Sequence, residues 1–113
     1  MQDLKQHAKV SALDVIRFCR TVPRGDEFTI IKRQLIRSAT SVAADYRSAQ
    51  RAKSKADFIS KLGTAEEEAD ESLLWLEFLA ELTTSSNPQP SQLQTEANEL
   101  VAILTASRKN GGG

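Results

Sequence analysis

The chemistry-bearing residues of this chain are few and poorly placed for one another. His7 is the only histidine and Cys19 the only cysteine. His7 reads as a surface residue of the first helical segment. Cys19 falls on an apolar stripe and reads as a small core residue. The densest titratable run is Glu66, Glu67, Glu68, Asp70 and Glu71, with no basic residue among them. Carboxylates on facing helices can hold a pair of metal ions, but such bundles draw two ligands from Glu-x-x-His pairs, and the chain has none. The run is therefore read as a solvated or ion-paired face. Gly25 and Gly63 are isolated, so no glycine-rich loop is present to cradle phosphate, and no serine has a histidine base at a defensible position. These residues predict no catalytic site, no cofactor, no metal and no small-molecule substrate.

Charge is distributed more informatively than chemistry. The net charge is zero, yet residues 1–61 hold 13 basic side chains against 6 acidic ones, and residues 62–113 hold 2 against 9. The halves thus carry +7 and −7. Such asymmetry marks either a basic surface for a polyanion or two segments that face each other. Arg47, Arg51, Lys53 and Lys55 are crowded together, with only Asp45 and Asp57 nearby.

The elements that position these charges are all helical. With 40% hydrophobic and 27% charged residues the composition is that of a globular protein, and 113 residues suit one domain. Helices are expected at about 3–21, 26–51, 54–82 and 91–107, with 108–113 a frayed tail. In the first, Leu4, Ala8, Ala12, Val15, Ile16 and Cys19 share a stripe, and Asp3 and Gln6 have capping-box spacing. Pro23 and Gly25 end it. In the second, Phe28, Ile31, Leu35, Ala39, Val42, Tyr46 and Ala49 recur at three- or four-residue steps. Its small middle, Ser38 to Ala44, predicts close approach of a neighbour. The third opens with Ser54 and Asp57 at capping-box spacing. Phe58, Leu62, Ala65, Ala69, Leu73, Leu76 and Ala80 form its stripe, which Leu74, Trp75, Phe78 and Leu79 widen until the helix is apolar nearly all round. After TTSSNPQP, a loop by composition, the fourth carries Leu93, Ala97, Leu100, Val101 and Leu104. Four amphipathic helices on short connections pack as an antiparallel up-down-up-down four-helix bundle. Counting back from a turn near Ala52, residues of the central hairpin whose numbers sum to about 104 should lie level. Arg37 then meets Glu67 and Glu68, and Arg33 meets Asp70 and Glu71, as structural ion pairs.

The apolar surface of Leu74, Trp75, Phe78 and Leu79 exceeds what one bundle core covers, which predicts a homo-oligomer with these residues at the interface. The N-terminal MQDLKQHAKV lacks the apolar stretch of a signal peptide, and no apolar run approaches the ~20 residues of a membrane span. With a lone cysteine, a cytoplasmic protein without membrane association is expected.

Residues 34–79 are more specific. Arg37, Ser38, Ala39, Ser41 and Val42, then Tyr46, Arg47, Arg51 and Ser54, then Phe58, Leu62, Glu68 and Glu71, resemble the four-helix-bundle family encoded by intervening sequences in bacterial large-subunit ribosomal RNA genes. Asp45 departs from the pattern, which usually has Asn there. The resemblance implies a bundle assembled as a homopentamer, with no established reaction. Relatives look like the accessory proteins of diversity-generating retroelements, which implies association with RNA or DNA. The candidate nucleic-acid surface is Arg47, Arg51, Lys53 and Lys55. The alternative is a structural or protein-interaction module with no nucleic-acid partner.

Overall fold

The computed structural model describes residues 3–83 and 88–111. It contains α1 (Leu4–Cys19), α2 (Asp26–Gln50), α3 (Lys55–Leu82) and α4 (Gln89–Asn110), and no strand among the described residues. Each helix packs on its neighbours in chain order, and α4 closes the bundle against α1, touching it over far less of its length than the other pairs touch. The molecule is a rod of 46 × 26 × 18 Å, a length set by the 28-residue α3 at ~1.5 Å per residue.

Local chemistry sets the helix ends. Asp3 caps α1 by accepting from the Lys5 amide at 3.1 Å, rather than pairing with Gln6. Ser54 caps α3 by accepting from the Asp57 amide, and Asp57 reaches back one residue further than a standard capping box, to the Lys53 amide. Those bonds, the Lys53 one foremost and a Lys61 one second, hold the Asp57 carboxyl below the usual range. Thr83 ends α3, its hydroxyl donating to the Leu79 carbonyl at 2.7 Å. Pro90 sits in the first turn of α4, where its missing N–H costs nothing.

The fourth helix departs from the expected bounds at both ends. It begins two residues earlier than predicted and runs through Arg108, Lys109 and Asn110, which were expected to fray. The tail is held by contacts that local pattern does not encode. Arg108 Nε donates to Glu66 Oε2 at 2.7 Å, Thr105 Oγ1 donates to Glu66 Oε1 at 2.7 Å, and Gly111 caps the helix with φ +61°. A left-handed residue there favours glycine, and Gly112 and Gly113 lie outside the described residues.

The core forms two clusters. One gathers Phe18, Ile31, Leu35, Leu76, Leu79 and Leu93 near the α1–α2 turn. The other gathers Val42, Leu62, Ala65, Leu100 and Leu104 toward the α2–α3 turn. Ser38 and Ser72, both buried, meet where the clusters join, Ser72 Oγ donating to Ser38 Oγ at 2.8 Å. Close approach of α2 and α3 thus holds at Ser38 and Ala39. Ala43 and Ala44, in the same run of small residues, lie toward α1 and floor a groove.

Candidate functional site

The antiparallel order brings the start of α1, the end of α2 and the start of α3 to one pole of the rod. All four predicted cations stand there, exposed and, among the described residues, in no ion pair. They do not form one patch. Arg47 lines a groove of about 360 Å³ between α1 and α2, together with Lys5 and Lys9. Arg51 caps α2, and Lys53 occupies the turn. Lys55 lies over the end of α4, where a methyl group on Gly111 would sit 3.3 Å from its Cε. The end of α4 carries the negative end of its dipole, so Lys55 stands where a cation is favoured, a place that its sequence neighbours do not suggest. Lys5 and Lys9, which sequence reasoning left out, join Arg47 because α1 and α2 run antiparallel at this pole.

The acidic run divides between two helices. Arg37 bridges Glu68, at 3.4 Å, and Glu71. Trp75 Nε1 also donates to Glu71, at 3.3 Å. Burial and the neighbouring Glu71 raise the Glu68 carboxyl, against the opposing pull of Arg37. On the α4 side, hydrogen bonds from Arg108 and then Thr105 hold the Glu66 carboxyl low. Arg33, Glu67 and Asp70, expected in ion pairs, form none among the described residues. Contacts across the hairpin do not follow one count: Arg37 meets Glu68 near the expected level, while Ser38 meets Ser72 further along α3. Glu67 and Asp70 face the other way, lining the α3–α4 groove with Gly63 and Val101.

The apolar surface also divides. Leu74 and Phe78 are each 44% exposed, with Leu82 at 46% and Ile30 of α2 at 62%. Trp75 is half-buried and stacks on Phe78, ring centroids 5.7 Å apart. Leu79 has no exposed surface: it belongs to the bundle's own core and not to an outward face. On a helix apolar nearly all round, the sequence cannot say which residue points inward.

His7, read as a surface residue, is mostly buried on the α1–α4 seam, its Nε2 4.0 Å from Glu99. Glu96 shares that seam. Burial, then Asp14, raises its carboxyl, and its Oε2 has no hydrogen-bond partner. Cys19 is buried as expected, and burial pushes its thiol up to about 11 despite Lys32. Asp45, at the position where the resemblance usually has Asn, is half-buried, and burial raises its carboxyl. Among the described residues no group of three or more His, Cys, Asp or Glu is placed to hold a metal ion. No described helix is long and apolar enough to cross a membrane.

Fold and surface together define a charge-segregated antiparallel four-helix bundle. The model of the 23S rRNA-intervening sequence protein family matches residues 2–106. The chain belongs to that family. It is similar to the crystal structure of a protein of unknown function from the S23 ribosomal protein family of Bacteroides thetaiotaomicron VPI-5482. The TM-score is 0.86 and the identity 28%, over 95% of this chain and 99% of that one. No curated protein matches the chain.

Proposed function

We propose that this protein acts by binding rather than by catalysis, as a homo-oligomeric accessory or scaffold that associates with nucleic acid through its basic pole. The observation that carries the reading is the partnering of the cations. Arg37, Lys61 and Arg108 are in ion pairs with carboxylates of α3, whereas among the described residues Lys5, Lys9, Arg47 and Arg51 are in none. Unpaired cations that share this pole attract a polyanion and release its counterions. No aromatic ring accompanies them: Tyr46 and Phe58 pack against the second core cluster. Contact is therefore with the phosphate backbone, with little preference among sequences.

Self-association is the second component. Leu74, Phe78, Leu82 and Ile30 expose large apolar side chains on the α2–α3 side, away from the basic pole. Covering them in a ring repeats the pole around one face, so that modest contacts add through avidity. Five copies are what the family resemblance implies. The same apolar face favours a second reading, in which it docks a helix of another protein and nucleic acid plays no part.

Sedimentation and fluorescence-anisotropy titration test both components. An oligomer at micromolar protein and salt-sensitive binding of RNA or DNA are expected. Leu74→Glu and Phe78→Glu, both at exposed positions, should dissociate the oligomer while leaving the helical signal intact. A wild-type monomer removes the self-association. Absence of binding at low salt removes the nucleic-acid component and leaves the docking module.

A further inference from the structure

We propose that the α1–α2 groove, edged by Lys5, Lys9 and Arg47 and floored by Ala43 and Ala44, seats a single phosphodiester strand. The inference rests on the nucleic-acid reading above and locates its contact on the flank of the bundle rather than at the tip of the α2–α3 turn.

Three features of the groove point this way. First, its cations stand on opposite edges and are fixed by helices rather than by a turn. Lys5 and Lys9, one helical turn apart, project from α1 at a separation of about 6 Å along the axis, and Arg47 faces them from α2. Second, the floor is small. Ala43 and Ala44 leave the groove its volume of about 360 Å³, enough for a narrow strand to settle between the ridges, whereas a broad or flat polyanion touches only their tops. Third, the cations outnumber the carboxylates beside them. Asp3, which accepts from the Lys5 amide, keeps its negative charge and offsets part of theirs. Asp45 is half-buried and lies within the electrostatic reach of Glu68, on the α3 side of α2. Among the described residues none of the three cations has an ion-pair partner, so the groove keeps a net positive charge.

By contrast, the turn offers less than its sequence suggests. Lys55 is drawn toward the end of α4. Arg51 ends α2 and Lys53 lies in the connecting turn, so neither is held on the edge of a groove as Arg47 is.

The test compares full-length variants whose helical signal and melting are first matched to wild type. One replaces Lys5, Lys9 and Arg47 with Ser, one replaces Arg51, Lys53 and Lys55 with Ser, and a third, Ala44→Phe, fills the floor without altering charge. Each is titrated with fluorescein-labelled single-stranded RNA of mixed sequence across a range of salt. The groove triple should weaken binding on the order of tenfold or more at low salt, and reduce the slope of log affinity against log salt by about two, since each phosphate contact on a single strand contributes about 0.7. Ala44→Phe should weaken binding and leave the slope of residual binding nearer to wild type. The turn triple should change both far less. If wild type binds and the turn triple loses the affinity while the groove variants keep it, the groove assignment is overturned and the nucleic-acid reading stands. If wild type fails to bind any strand at low salt, the underlying reading fails and the groove assignment goes with it. Vesicles rich in anionic phospholipid present phosphate on a flat surface and should not compete; effective competition would also overturn the assignment.

Discussion

Replacing Ser38, Ser72 or both with Ala probes how α2 and α3 hold their register. The two hydroxyls are 0% and 4% exposed and joined at 2.8 Å. Each has a second, backbone partner: Ser38 Oγ donates to the Leu35 carbonyl at 3.1 Å, and Ser72 Oγ also reaches the Glu68 carbonyl at 3.0 Å. Removing either hydroxyl therefore leaves the other satisfied, and the larger penalty for an orphaned buried donor does not arise. The lost hydrogen bond costs about 1 kcal/mol. Against it, Ser to Ala inside a helix gains about 0.5 kcal/mol in propensity. A void of about 10 Å³ already touches Ser72, and enlarging it by a similar volume costs only about 0.2 kcal/mol at ~24 cal/mol per Å³. Each single variant should thus be destabilised by about 0.5–1 kcal/mol. The double variant loses the shared bond only once and gains propensity twice, so it should lie within about 0.5 kcal/mol of wild type. The coupling is then about 1 kcal/mol. Urea unfolding of all four proteins, at one fixed protomer concentration because association shifts apparent stability, measures it. Additive single effects, or a double variant destabilised by more than about 2 kcal/mol, would refute the accounting.

Gly63 lies inside α3, where a methyl group would meet only Arg108 Cδ at 3.6 Å, so Gly63→Ala should raise stability by about 0.5–1 kcal/mol in the same urea assay. Glu66→Gln should cost stability at neutral pH. Because the native carboxyl is held low, chiefly by the Arg108 and Thr105 hydrogen bonds, its contribution is present above the ordinary carboxylate range and lost as pH falls through the depressed native value. The gap between wild type and variant should therefore close on acidification, as melting followed from neutral pH downward will show. Glu96 carries the opposite sign: its carboxyl is raised by burial and by Asp14, so its ionisation opposes folding as pH rises through that raised window. Glu96→Gln should stabilise at neutral pH and show no advantage in acid, in the same melting series. Cys19, buried with its thiol near 11, should resist a thiol-specific disulfide reagent at pH 8 and react fully once denaturant is added; fast labelling of the folded protein would contradict its burial.

The helices were legible because each has a stripe and a stop. Leu35, Leu62, Leu76 and Leu104 are fully buried where periodicity puts them. What lay beyond the sequence is what depends on one helix's position against another. A uniform count from the turn brought Arg37 to Glu68 but also set Arg33 against Asp70, with which it forms no ion pair among the described residues, since a count of levels does not say which way each side chain faces. The last turn of α4 lacks an apolar signal, and its order comes from Glu66, some forty residues upstream. Leu79 and Phe78 are adjacent, equally apolar and oppositely placed, a difference that only the direction of the helix resolves. Lys5 and Lys9 carry no motif and acquire meaning only beside Arg47.

Three seams of this bundle are packed along their length and the fourth, between α1 and α4, is not. That seam also holds Glu96, with its unpartnered oxygen, and His7. A closed cylinder parts first where the least free energy is lost on parting, so native-state breathing should run along this line. Amide hydrogens of α2 and α3 would then exchange only on global unfolding, while those of α1 and α4 would exchange through a cheaper opening in which the molecule unrolls like a sheet around an intact central hairpin. The rod is thus less a barrel with four equal staves than a hinged sleeve around a two-helix spine.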